Sequence, residues 1–380
     1  MAVKLKPLAD QVIVITGASS GIGLATARKA AKAGAAVVLV SRNADALRAI
    51  CDDINAEGGR AHAVVADVGS PDDMEKVSRA AIARFERIDT WVNDAGVGLY
   101  GELSRTPAED HEQLFRTNYF GVVNGSLEAI KHFRARGGSG ALINVGAANS
   151  DVATPLLGAY SASKHAVKGF TEALRVELLR EKAPVSVTLV KPSSVSTPFA
   201  DHARNLMEKA ASVPPPRYSP DVVADAILHA ATHPVRDLAV GAGGRPIVIG
   251  SAAAPHLTDR VLAKVIPPLS RRRGQPLASD SLYEPGVDGM TESESLKGRR
   301  FSLYTEAQKH PGVTVGLGAL AVIGIAALLG RDQIARGARP ALARAARPIL
   351  VKAAMRRPVS TAKLVAKHPR QAARLASALR

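Results

Sequence analysis

The chain has 380 residues, a single cysteine (Cys51) and a net charge of +16. That length holds one large domain with appendages or two domains, and a lone cysteine excludes an internally disulfide-stapled fold. Of the +16, residues 331–380 carry +12, which leaves +4 for the first 330 and marks a near-neutral body with a basic tail.

The opening "MAVKLKPLADQVIVIT" has only a short apolar run and no secretory signal, so a reducing, cytosol-facing location is expected. No Cys-x-x-Cys pair accompanies the histidines, and no metal site is expected. Val/Ile-rich runs at 12–16, 35–41, 61–67, 90–93, 140–145, 185–190 and 246–250 read as about seven buried strands. Ala-rich amphipathic stretches such as 21–33, 71–87, 109–135 and 159–181 lie between them. Strands apolar on both faces, alternating with helices, specify an α/β fold with a doubly wound parallel sheet of Rossmann type.

Composition then divides the chain. Residues 1–255 read as the Rossmann domain and 256–310 as a polar linker or excursion, because "RRRGQPLASDSLYEPGVDGMTESESLKGRR" is rich in charges and turn formers. A chain ending near residue 300 is therefore expected to keep the fold. Residues 311–330 are an uncharged, Gly/Ala-rich run long enough to span a bilayer, with a buried helix or hairpin as the alternative. Residues 331–380 read as a basic amphipathic tail. Tail and cofactor site both belong on the cytoplasmic side, so a single crossing does not serve; a re-entrant or surface-lying arrangement on anionic lipid is expected. No aromatic follows Tyr304, so specific nucleic-acid binding is not expected.

The first strand runs into "TGASSGIG", residues 16–23. Gly17, Gly21 and Gly23 allow a sharp turn and close backbone approach to a pyrophosphate, while the following helix aims free N–H groups at its charge. "ADV" (66–68), "NDAG" (93–96), Asn118 within "TNYFGVVNG" and Tyr160-x-x-x-Lys164 follow in order. With these five motifs in register, residues 8 to about 250 resemble the short-chain dehydrogenase/reductase family. An acid at the end of the second strand would hold a ribose 2′-hydroxyl, but the chain has Ser41 and Arg42 there, which is similar to the family's NADP(H)-preferring pattern.

The resemblance implies cofactor contacts at Gly17, Ser19, Ser20, Gly21, Ile22, Gly23, Arg42, Asp67, Val68, Asn93, Ala95, Gly96, Tyr160, Lys164, Pro192, Val195 and Thr197. Tyr160, Lys164 and Asn118 are the implied catalytic group, interconverting an alcohol and a carbonyl. Tyr160 and Lys164, four apart, share a helix face. The lysine's charge, together with the positive nicotinamide of the oxidised cofactor, is expected to lower a phenol pKa of about 10. The resemblance also implies a homodimer or homotetramer. Residues 199–218 read as a lid over a small apolar alcohol or carbonyl substrate, and Ser219-Pro220 as the start of the next helix.

Two positions depart from the family. Ser193 stands where Pro-Gly-x-Val-x-Thr has its glycine, and Ala147 stands thirteen residues before Tyr160, where a serine normally polarises the substrate oxygen. Three readings stay open. Asn149 or Ser150 supplies a substitute donor; the enzyme is slow; or the protein is an NADP(H)-binding pseudoenzyme with a regulatory or scaffolding role.

Overall fold

A computed structural model describes residues 3–309 apart from 278, 279 and 287. Seven strands form one parallel sheet: β1 (Val12–Thr16), β2 (Ala36–Ser41), β3 (Arg60–Val65), β4 (Thr90–Asn93), β5 (Gly140–Val145), β6 (Val185–Pro192) and β7 (Asp237–Val240). Their order is β3-β2-β1-β4-β5-β6-β7, with registers such as Ile15↔Leu39 and Ile15↔Val92. The order reverses between β1 and β4. In open parallel sheets the crevice at the carboxyl ends of such a pair is where ligands bind.

The strand sequences are apolar on both faces because both faces are covered. Ile13 and Ile15 of β1 pack into one core with Leu24, Leu39, Leu47, Val92 and Ile227. That layer holds helices α1 (Gly21–Lys32), α2 (Ala44–Ala56) and α7 (Pro220–Thr232). Val12 and Val14, half a pleat away, pack into the other with Met74, Trp91, Phe133, Leu142 and Leu174. This second layer holds α3 (Pro71–Phe85), α4 (Ala108–Phe115), α5 (Gly121–Arg136) and α6 (Gly158–Arg180).

The caps are local. Asn43 accepts from the Ala46 N–H, Ser70 from Asp73 with Pro71 in the first turn, and Ser219 from Asp221 with Pro220 beside it, as "YSPD" predicts.

The run 246–250 is not the seventh strand. It lies in helix α8 (Arg245–Ala253), with Pro246 in the first turn, and the sheet closes with "DLAV" instead. A five-residue apolar run fits strand and helix alike, and only pairing against β6 (Leu189↔Asp237 to Pro192↔Val240) settles the choice.

Of the expected linker, the two ends are helical, and the stretch 270–302 between them has no helix or strand among its described residues but belongs to the same compact unit. One compact unit runs to Lys309. Within it, α9 (Pro255–Leu269) and α10 (Leu303–Lys309) follow α8. In α10, Gln308 donates to the Ala239 carbonyl at 2.6 Å and accepts from its N–H at 3.1 Å, and Thr305 accepts from Gly241 at 3.0 Å. These bonds satisfy the open edge of β7, so a chain ending near residue 300 would lose them. Among the described residues no helix is long and apolar enough to cross a membrane. The apolar run 311–330 and the tail 331–380 lie outside the described residues.

Candidate active site

A cavity of about 450 Å³ opens at the β1/β4 reversal and runs from the glycine loop past Tyr160 to the lid. Its first stretch is shaped by glycine. Gly17 has φ +73°, and a Cβ there would lie 2.8 Å from the Ala95 Cα; a Cβ at Gly23 would lie 2.2 Å from the Gly17 carbonyl oxygen. The loop can therefore fold flat against β4 and lay the N-terminus of α1 on the cavity. Ser20 is the N-cap, yet its side chain makes no cap bond and lines the cavity with Ser19 and Ile22.

Most of the expected contact residues meet here. Gly17, Ser19, Ser20, Gly21, Ile22, Arg42, Asp67, Val68, Ala95, Gly96, Tyr160, Lys164, Pro192, Val195 and Thr197 all line the wall. Gly23, Asn93 and Asn118 do not. Gly23 acts through its close approach to Gly17. Asn93 accepts from Trp91 Nε1 at 2.8 Å and donates to Asn144 at 2.9 Å, tying β4 to β5. Asn118 lies in a π-helical turn, Arg116–Phe120, between α4 and α5. Its amide accepts from the Val97 N–H at 2.8 Å and donates to the Val97 carbonyl at 3.0 Å and Ser163 at 3.1 Å. With the side chain so committed, Asn118 is a positioning residue for the 94–98 loop.

Tyr160 sits in the first turn of α6, its ring centroid 5.1 Å from that of Phe199 in the lid. One turn on, Lys164 is buried, donates to the Val145 carbonyl at 2.9 Å and places Nζ 5.7 Å from the Tyr160 ring centroid. Burial pushes the Tyr160 pKa up, and the negative charge of Asp94 pushes it further. Burial pulls the Lys164 pKa down against the opposing influence of Asp94. Burial raises the Asp94 carboxyl in turn, while Lys164 and the Gly23 N–H hold it down. Among the chain's own groups, burial and the Asp94 charge both favour the protonated phenol at Tyr160. Asp94 belongs to this group, and sequence reading missed it although "NDAG" displays the acid.

The loop around Ala147 keeps its place on the wall, with the alanine methyl where a hydroxyl is absent. Neither proposed substitute fits. Ser150 is fully buried, accepts from the Ala147 N–H at 3.1 Å and is not part of the wall. Asn149 reaches the wall, but its Nδ2 donates to Thr154 Oγ1 at 2.8 Å and to Ser161 Oγ at 3.0 Å, which uses both amide protons. Thr154 also lines the cavity, and its own hydroxyl proton goes to no other group among the described residues.

Three buried side-chain atoms lack a partner among the described residues: Arg136 Nε, Ser193 Oγ and Ser270 Oγ. Both serines line this cavity. The unpaired Ser193 hydroxyl lies beside Pro192, Val195 and Thr197, where a carboxamide would satisfy it, so the donor set fits a nicotinamide. Beyond Tyr160 the wall is mostly apolar, with Tyr100, Leu157, Val213, Ile247, Ile266 and Leu269. The 199–218 stretch closes this side through a helical turn, Phe199–His202, and the two-residue strand Arg204–Asn205 paired with Leu99–Tyr100.

His229 and His233, four apart in and just after α7, stack with ring centroids 4.4 Å apart. Among the described residues no group of three His, Cys, Asp or Glu side chains could hold a metal ion.

The sequence model described as "short chain dehydrogenase" matches residues 11–208. The uncharacterized oxidoreductase YxnA of Bacillus subtilis is 43% identical over 329 residues, covering 85% of this chain and 92% of the relative. A short-chain dehydrogenase/reductase from Burkholderia phymatum, solved in complex with NAD, is similar with a TM-score of 0.60 and 25% identity, over 72% of this chain and all of that one. An alcohol dehydrogenase from Thermococcus sibiricus, complexed with 5-hydroxy-NADP, gives a TM-score of 0.53 and 25% identity, over 60% of this chain and 95% of that one. The chain belongs to the short-chain dehydrogenase family and is an oxidoreductase of that type.

Proposed function

We propose that the protein interconverts an apolar carbonyl compound and its alcohol with NADP(H). The observation that carries this reading is the single cavity, which joins a glycine loop, a buried Tyr160–Lys164 pair and an apolar end wall. The nicotinamide, when bound, supplies or accepts the hydride. Tyr160 gives its proton to the carbonyl oxygen or takes one from the alcohol. Lys164 keeps a positive charge beneath the phenol. Thr154 supplies the hydroxyl that Ala147 lacks and polarises the substrate oxygen. The readings from sequence alone, that 311–380 binds an anionic membrane face and that the chain forms homo-oligomers, are proposals of the same standing.

Arg42 sets the cofactor. It ends β2, and no carboxylate lies within ion-pair distance of it among the described residues. NADPH should bind at least about tenfold tighter than NADH, a difference of about 1.4 kcal/mol. Arg42→Asp should reverse the preference. Equal affinities for both dinucleotides by calorimetry would refute the assignment.

Asp94 should be visible in the pH profile. Its negative charge raises the Tyr160 pKa, so Asp94→Asn removes a charge that disfavours phenolate. The acidic limb for alcohol oxidation should then move to lower pH, because phenolate forms earlier. A limb that stays put or moves up would show that Asp94 does not act on Tyr160.

A further inference from the structure

The segment Asp280–Gly286, far along the chain from the glycine loop, meets the cofactor wall at Arg42 and Asn43. Arg42 donates from Nη1 to the Tyr283 carbonyl at 2.7 Å and from Nη2 to the carbonyls of Ser281 at 2.7 Å and Glu284 at 3.5 Å. Next to it, Asn43 donates to the Gly286 carbonyl at 3.2 Å. The segment is itself anchored. Leu282 is fully buried among Val97, Leu99, Leu114 and Ala159, and its carbonyl accepts from Gln113 at 3.1 Å. The Tyr283 hydroxyl donates to Asp110 at 2.8 Å.

We propose that this segment is a specificity element of the cofactor site, presenting Arg42 for a 2′-phosphate. The inference rests on the NADP(H) reading above. Its physical basis is preorganisation without neutralisation. A guanidinium has five N–H donors; three are held by carbonyls, which leaves two for a phosphate. Carbonyl acceptors carry no net charge, so the arginine arrives fixed in direction and still fully cationic. A carboxylate in their place would fix it equally well but cancel the charge the phosphate needs. An arginine ending a β-strand in water would have to be ordered at each binding event, and that ordering cost is removed beforehand.

The test is a set of calorimetric titrations of the full chain with NADPH and with NADH. Leu282→Ala loosens the anchor at a residue that does not itself line the cavity, though it packs behind Val97 and Tyr160, and Tyr283→Phe removes only the bond to Asp110. Leu282→Ala should weaken NADPH about tenfold and NADH less than about twofold, and Tyr283→Phe should act in the same direction by a smaller factor. In an Arg42→Ala background both changes should lose their effect, because nothing is left to present. If Leu282→Ala does not fold, Tyr283→Phe with its own Arg42→Ala cycle decides. Equal weakening of both dinucleotides would make the segment a plain wall, and tighter NADPH binding would make it an obstruction; either overturns the proposal, as does no change at all. Arg42→Ala separates the two claims. If it leaves the NADPH/NADH ratio unaltered, both readings fall; if it abolishes the ratio while the anchor variants keep it, only this one does.

Discussion

Tyr160→Phe should abolish turnover, by about a thousandfold or more, while NADPH affinity stays within about threefold of the wild-type value. The argument is geometric. Tyr160 lines the cavity, and its ring centroid lies 5.1 Å from that of Phe199 and 5.7 Å from Lys164 Nζ. Phenylalanine keeps that packing and deletes only the group that exchanges a proton. The neighbouring titratable groups do not take its place: Lys164 is tied to the Val145 carbonyl, and the Asp94 carboxyl is held by the Gly23 N–H and by the charge of Lys164. Steady-state carbonyl reduction combined with NADPH titration separates chemistry from binding. A Phe variant with ordinary turnover would remove Tyr160 from the mechanism.

The second large effect concerns the oxygen-polarising hydroxyl. Thr154→Val is nearly isosteric, and should lower kcat about a hundred- to a thousandfold, the usual worth of one preorganised donor, with NADPH affinity unchanged. Ala147→Ser should raise wild-type kcat only modestly, because a donor is already present. In the Thr154→Val background the same serine should restore most of the lost rate, since its hydroxyl would enter the wall from the neighbouring position. The reciprocal pattern distinguishes a catalytic hydroxyl from a structural one: a threonine that merely holds Asn149 would not be rescued by a serine at 147. Full activity in Thr154→Val would assign the polarising role elsewhere. No turnover in any of the four forms, with NADPH still bound, would make the protein a cofactor-binding scaffold.

Much of this was legible in the residues because it is local. β1, β2 and β5 are short, apolar and almost wholly buried, a pattern that a sheet covered on both sides accommodates, and their limits fell close to those observed. The glycine loop was readable because each glycine answers a backbone requirement within a few residues of itself. Tyr160 and Lys164 were readable because four residues make one helical turn.

What needed the tertiary structure was every case in which distant segments decide the outcome. "PIVIG" and "DLAV" compete on equal local terms, and β7 is chosen by the free edge of β6. The polar composition of 271–300 suggested loose chain, because composition cannot show that Leu282 and Leu296 have pockets waiting for them or that Gln308 closes the sheet edge. Asn149 and Ser150 look like equivalent donors in a linear reading; the hydrogen bonds of Asn149 use both its amide protons, and Ser150 is buried away from the cavity wall. The same holds for Asp94 and Tyr160: burial raises both, Lys164 and the Gly23 N–H hold Asp94 down, and the Asp94 charge raises Tyr160, a property of packing in three dimensions that no spacing in the chain encodes.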